Sequence, residues 1–367
     1  MIAFPAATDT AAGTTKGVAM KYNALMYYGQ KYFGFEELEM PACGENDMIV
    51  KNLTASICGS DTDTWLNGGE LHYLPPRVEF GHEVVCEVVE TGKNVTGVKP
   101  GDRIAPYPLK ATPNPRKAGY LGGFSEYLYI TNAKEDENFW ILDERMSNKE
   151  AALIEPLSVS IHVADRANVT EKTIAVILGA GIIGAGVAAR LVDRGAAREH
   201  IVFVDRSQYR LDLLAKQGFA GVNSAEPGWQ QKLIGLTGMA YCVYGPGSAA
   251  DYIFDCAGSI DPIAIEPTLL EQAIRLLKFG GTMVLAGVHR RKASLNLQKM
   301  VFGLQNMVCG SGATDPEFRI AIDMLYRKVI DFEALVTHSF AHKDAIEAIK
   351  FACDTNQCLK VQIDYSL

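Results

Sequence analysis

The apolar run Ile174-Ala175-Val176-Ile177-Leu178 ends directly in Gly179-Ala180-Gly181-Ile182-Ile183-Gly184, and small residues follow through Ala185, Gly186, Ala188 and Ala189. A strand that enters a helix through G-x-G-x-x-G commits this stretch to a βαβ unit. Gly179 makes the tight turn, Gly181 lets backbone approach a pyrophosphate, and Gly184 lets the helix pack on the strand. The helix N-terminus at Ile182 and Ile183 then faces negative charge. The next strand, Val202-Phe203-Val204-Asp205, ends in a carboxylate that can accept hydrogen bonds from an adenosine ribose and would repel a 2′-phosphate. NAD is therefore expected in preference to NADP, although Arg206 and Arg210 stand where they could tolerate that phosphate. Cys256, Ala257, Gly287 and Val288 end later strands, where a nicotinamide half would lie.

Around this turn the pattern alternates. Strands at Thr173 to Leu178, Ile201 to Val204, Tyr252 to Cys256 and Met283 to Ala286 are interleaved with helices at Ile183 to Arg194 and Tyr209 to Gln217. Such alternation predicts an α/β doubly wound parallel sheet with helices on both faces. From Tyr22 to Ile130 the text is instead strand-like, with Gly, Pro and Asn turns. A helix from Asn148, carrying Ala151, Leu157, Ile161 and Val163, links the two parts. With 367 residues the chain suits two domains and a cleft. The expected division is an extension over 1–19, a β-rich domain over 20–163 completed by 309–367, and a dinucleotide domain over 164–308. The closing strand Leu359 to Ile363 has no partner in a doubly wound sheet and is expected to return to the first domain.

The β-rich part carries Ile57-Cys58-Gly59-Ser60-Asp61 and Gly81-His82-Glu83, and the linking helix carries Glu155-Pro156. A thiolate, an imidazole and carboxylates are the ligands of a catalytic zinc, which needs three protein ligands and one open position. Cys58 and one carboxylate already neutralise Zn²⁺. One of Glu83 and Glu155 is therefore expected to bind directly, Glu83 being favoured, and the other through water. Asp61 is a candidate partner for the His82 imidazole, and Ser60 a candidate acceptor of an alcohol proton. Trp65, His72 and Tyr73 are candidates for the substrate pocket or for ordinary core and surface positions.

A net charge of −8 argues against nucleic acid or an anionic membrane as partner. The basic cluster Arg290-Arg291-Lys292 reads as a solvated loop, with a phosphate site as the alternative. Eight cysteines form no C-x-x-C pair and suggest a reducing compartment. With no signal peptide or long apolar run in view, a cytoplasmic enzyme is expected. H-E-x-x-H, G-x-S-x-G and Walker-type loops are absent from the sequence.

These motifs resemble the zinc-dependent medium-chain dehydrogenase/reductase family. Its C-G-[ST]-D is similar to Cys58 through Asp61, its G-H-E to Gly81 through Glu83 and its G-D-R to Gly101-Asp102-Arg103. Its G-G-x-[AS]-E-Y is similar to Gly122 through Tyr127, and its nucleotide glycines to Gly179, Gly181 and Gly184. Ala151 through Val159, with Glu155 where the alcohol dehydrogenase branch has cysteine, resembles the polyol and sorbitol dehydrogenase branch. The resemblance implies a GroES-like catalytic domain beside the Rossmann domain, NAD-linked oxidation of a secondary hydroxyl on a polyol or sugar, and a homodimer or homotetramer. Two departures stand out. Ile104 to Leu121, with Pro106, Pro108, Pro113 and Pro115, lacks the cysteines of a structural zinc, so one catalytic zinc is expected. The family's relay histidine is Asp63 here, so proton release is expected through Asp63, through water or by another route. A zinc dehydrogenase of threonine or butanediol, and a non-catalytic NAD-binding sensor or scaffold, are the competing readings.

Overall fold

The structure, a computed structural model, describes residues 20–111, 121–258, 268–290, 292 and 294–367. The extension 1–19, Pro113, Pro115 and Arg291 lie outside them.

The strand and helix alternation builds a six-stranded parallel sheet. Its order is Ala220–Asn223, Ile201–Asp205, Ala175–Leu178, Tyr252–Asp255, Thr282–Leu285 and Asn306–Cys309. All of Ala175–Leu178 is buried, as a strand covered on both faces requires. Strand order reverses beside it, which opens a crevice at the carboxyl ends of Leu178, Asp205 and Asp255.

The β-rich part forms a seven-stranded sheet centred on Met48–Ser56 and Glu83–Thr91. The C-terminal strand Lys360–Asp364 does return to it, pairing antiparallel with Met48–Ser56 so that Gln362 faces Ser56. A smaller sheet holds Lys21–Gly29 between Tyr32–Glu39 and Val78–Glu79.

The helix expected from Asn148 is two pieces, Asn148–Ala151 and Ile154–Ala164. Pro156 explains the interruption: it lacks the N–H that a continuous helix would donate to Ala152, but it is tolerated in a first turn. The break sets Glu155 at the start of the second helix, pointing its end at the first domain. One apolar cluster runs from Val85, Ala105 and Trp140 through Leu153, Leu157 and Ile161 to Ile177, Ala185 and Phe203. The linking helix is thus core to both domains.

Candidate active site

Register brings the metal motifs together. Ser56 pairs with Glu83 across the antiparallel ladder, so the chain leaving Ser56 for Cys58 passes the chain arriving through Gly81 and His82. Gly81 turns at φ 92°, and a Cβ there would meet the Phe124 ring at 2.8 Å; only glycine delivers His82 at this corner. Cys58 is the N-cap of the helix Gly59–Asn67, where the macrodipole favours an anionic group. Ligand atoms of Cys58, His82 and Glu83 lie within 4.8 Å of one another.

The surroundings fit a cation. Burial opposes a charged His82, yet the Cys58 thiolate that it hydrogen-bonds, with Glu155 and Asp61, holds its pKa well above the ordinary value. Burial pushes Glu155 up to about 7; His82 and Lys360 oppose this, while Glu83 and Asp61 add to it. Several acids therefore share one buried space. The fully buried Oε2 of Glu83 takes part in no hydrogen bond of ordinary geometry and is ion-paired with Lys360 Nζ. Sulfur, imidazole nitrogen and carboxylate oxygen in this arrangement match the donor set of Zn²⁺. Glu155 contributes its field to the cluster without belonging to the 4.8 Å group.

Lys360 was not signalled by any motif. It is 3% exposed, and it also donates to Ile57 O at 2.8 Å. A lysine that follows Leu359 and opens the strand Lys360–Asp364, on the same alternating face as Gln362, is the sequence cue that could have found it.

Asp61 is buried and accepts the Cys58 N–H at 2.8 Å through Oδ2, so it caps the metal-loop helix. It reaches His82 through its charge. Burial raises its pKa, against His82 and the Cys58 N–H, which lower it. Ser60, partly exposed, lies in the first turn of that helix.

Asp63 is fully committed elsewhere. It accepts from Arg290 Nε at 2.8 Å and Nη2 at 2.9 Å, from Asn67 Nδ2 at 2.8 Å, and lies 2.7 Å from His72 Nε2. Burial opposes its charge, but the bonds from Arg290, Asn67 and His72 prevail and hold its pKa below the usual carboxylate value. Asp63 is thus a poorly placed proton acceptor, and Arg290, expected in a solvated loop, is instead held in the cleft. Trp65 packs edge-on against Phe33 in the first domain's core, and Tyr73 is 93% exposed.

In the crevice, Gly179 turns at φ 99°, where a Cβ would meet Ala257 backbone at 2.9 Å. At Gly184 a Cβ would lie 2.1 Å from Gly179 O, which is the close helix-on-strand approach the third glycine permits. Gly181 caps Ile182–Asp193, with Arg210 Nη1 3.6 Å from its Cβ position. Asp205 stands at the turn, accepting Ala180 N at 2.6 Å and Ser207 N at 2.8 Å. Arg210 is tied to Cys358 O at 2.8 Å, while Arg206 follows the strand end. Cys256, Ala257, Gly287 and Val288 line the facing turns, and Ala257 N lies 3.3 Å from Asp255 Oδ1. The glycine turn, the N-terminus of the helix Ile182–Asp193 and the carboxylate at the end of the neighbouring strand have the chemistry that fits a dinucleotide.

Models of the Alcohol dehydrogenase GroES-like domain and of the Zinc-binding dehydrogenase family match residues 44–135 and 181–327. The chain belongs to the zinc-dependent medium-chain dehydrogenase/reductase family. Sorbitol dehydrogenase of Bos taurus is 28% identical over 89% of this chain and 92% of its own length. L-galactonate-5-dehydrogenase of Escherichia coli K12 is 26% identical over 87% and 91%. The fold is that of 2R,3R-butanediol dehydrogenase from Bacillus subtilis, at a TM-score of 0.76 and 22% identity, covering 94% of this chain and 99% of that one. As a medium-chain dehydrogenase, the protein is a zinc- and nicotinamide-dependent oxidoreductase in which the metal cluster stands on the GroES-like domain and the glycine turn on the Rossmann domain.

Proposed function

We propose that this dehydrogenase oxidises a secondary hydroxyl of a polyol or sugar to a ketone, reversibly, with NAD⁺ as acceptor. The observation that carries the reading is the convergence of Cys58, His82 and Glu83 within 4.8 Å, with Glu155 completing a carboxylate-rich pocket. Sorbitol and L-galactonate in the names of the relatives support a polyhydroxylated substrate.

Cys58, His82 and Glu83 would hold the zinc, with Glu155 reaching it through water. Zinc bound there supplies Lewis acidity that lowers the pKa of a substrate hydroxyl, and the nicotinamide supplies the hydride acceptor. Asp61 fixes the backbone of Cys58. Ser60 takes the alcohol proton, which leaves through water because Asp63 is occupied. Asp205 holds the adenosine ribose and disfavours a 2′-phosphate; the tether of Arg210 to Cys358 supports NAD over NADP.

None of the eight cysteines is in a disulfide, which supports a reducing, cytoplasmic setting. Among the described residues no helix is long and apolar enough to cross a membrane. The edge strand Asn306–Cys309 lies near exposed Leu297, Val301, Phe302 and Leu304, which supports a homodimer or homotetramer that associates through this edge.

The test is zinc analysis of the purified protein with absorbance of reduced nicotinamide over a panel of polyols, sugars, threonine and butanediol, each with NAD⁺ and NADP⁺. Zinc with NAD⁺ reduction on a polyol or sugar is expected. Turnover confined to threonine or butanediol would overturn the substrate class, and cofactor binding without turnover would overturn the enzymatic reading.

A further inference from the structure

The Arg290 guanidinium reaches from the Rossmann domain into the GroES-like domain. It forks onto Asp63, with Nε on Oδ1 at 2.8 Å and Nη2 on Oδ2 at 2.9 Å, and Nη2 also donates to Gly68 O at 3.3 Å. Asp63 is 1% exposed, and the fork is the bidentate geometry that makes arginine–carboxylate pairs strong. On the catalytic side the acceptor is rigid, because Asn67 and His72 hold the same carboxylate from the helix Gly59–Asn67 and the segment after it.

The Rossmann side is equally fixed. His289, next to Arg290, lies 2.6 Å from Asp255 Oδ2, and Gly287 N donates to Asp255 O at 2.7 Å. A Cβ on Gly287 would fall 2.3 Å from Gly258 N, so the two sheet-end turns are pressed together with no play between them. The turn 286–289 that leads to Arg290 is therefore held against the carboxyl end of the strand Tyr252–Asp255. Val288, one of the residues at the nicotinamide end, stands two positions before Arg290.

At the adenosine end of the same crevice the domains are joined by Ser207 Oγ to Thr355 O at 2.7 Å and Arg210 Nε to Cys358 O at 2.8 Å. Those two bonds end on backbone carbonyls close to the continuous core. The Arg290–Asp63 fork stands at the other end, between the metal-loop helix and the turn that faces the nicotinamide.

We propose that Arg290 and Asp63 form an interdomain latch that holds the cleft closed at its nicotinamide end, and that its opening gates release of the cofactor. The gating half rests on the nicotinamide reading above. Both are positioning residues: neither donates or accepts a proton in the reaction.

The experiment is hydrogen–deuterium exchange on the full chain without cofactor, for wild type, Arg290→Gln, Asp63→Asn and the double variant, followed by stopped-flow NADH dissociation. Loss of a charged, forked hydrogen bond should speed exchange in 59–68 and 286–290 about tenfold in each single variant. The double variant should add nothing, because the two residues act as one contact. The central strand Ala175–Leu178 should exchange as in wild type, which separates latch opening from general destabilisation. NADH dissociation should rise by a similar factor, with Arg290→Lys falling between wild type and Arg290→Gln. Additive effects in the double variant, a uniform rise across both sheets, or unchanged exchange would overturn the latch. Local opening with unchanged NADH dissociation would overturn the gating. A wild type that fails to bind NADH would defeat the cofactor reading and gating, while the exchange data still decide whether the latch exists.

Discussion

The buried ammonium of Lys360 is ion-paired with the carboxylate of Glu83, so a cation from the closing strand stands directly behind a proposed zinc ligand. The pair joins the first and last parts of the GroES-like sheet beside the cluster of Cys58, His82 and Glu83. Removing one partner of a buried pair leaves the other charge uncompensated.

Lys360→Met should therefore destabilise the zinc-free protein by about 3–5 kcal/mol. Zinc replaces the missing positive charge and binds the folded state, so the loss should be smaller in the zinc-loaded protein. Denaturant unfolding with and without zinc measures both. Equal losses in the two forms would separate Lys360 from the metal site.

Cys58→Ser should remove zinc and turnover together while leaving the fold intact, since Cys58 sits partly exposed at a helix start rather than in the core. Metal analysis, far-ultraviolet circular dichroism and a turnover assay report the three quantities. Full activity in that variant is incompatible with the proposed centre.

Asp205→Ser should shift the ratio of kcat/KM for NAD⁺ over NADP⁺ toward NADP⁺ by on the order of tenfold, because a charged repulsion and a charged hydrogen bond are lost together. The carboxylate also accepts Ala180 N and Ser207 N, so some loss with both cofactors is expected. An unchanged ratio would remove Asp205 from cofactor selection.

His289 gives a pH signature. Its hydrogen bond to Asp255 raises its pKa above the ordinary value; burial opposes this, and the Asp255 charge adds to it. A group whose folded pKa is raised contributes fully below its unfolded pKa, about 6.5, and loses that contribution as pH rises through the folded value. The melting-temperature difference between wild type and His289→Asn should accordingly shrink as pH rises above about 6.5. A difference that grows with pH would contradict the charged pair.

Gly184→Ala tests the third glycine. A Cβ there would meet Gly179 O at 2.1 Å, so helix and strand must part. A cost of about 1–3 kcal/mol is expected from such overpacking, read as a lower unfolding midpoint with weaker NADH binding. A variant as stable as wild type would show that the contact relaxes freely.

Much of this protein could be read from local patterns. The apolar run into Gly179-Ala180-Gly181 names its own turn, because strand, turn and helix are neighbours in sequence and their constraints are steric and short-range. Cys58, His82 and Glu83 were legible for a related reason: each has a recognisable neighbourhood and a chemistry few other residues supply. The split of the linking helix at Ala152 and Leu153 was written in Pro156 as well, but competed with a strong apolar period on both sides.

Tertiary structure decided the partners. Asp63, by its place in the motif, stands where a proton relay is expected, and only the docking of two domains gives its carboxylate to Arg290 and His72. Arg290 reads as one member of a solvated basic run until the turn held by Asp255 aims it across the cleft. Lys360 is one of two charges in the strand Lys360–Asp364 until sheet register sets it behind Glu83. The amino-acid sequence determined the ligand types, the glycine turn and the two-domain plan, because these depend on side-chain chemistry and local backbone. Which buried charge answers which depended on the burial and register of strands far apart in the chain, since an ion pair in low dielectric exists only where the fold brings both charges out of water together.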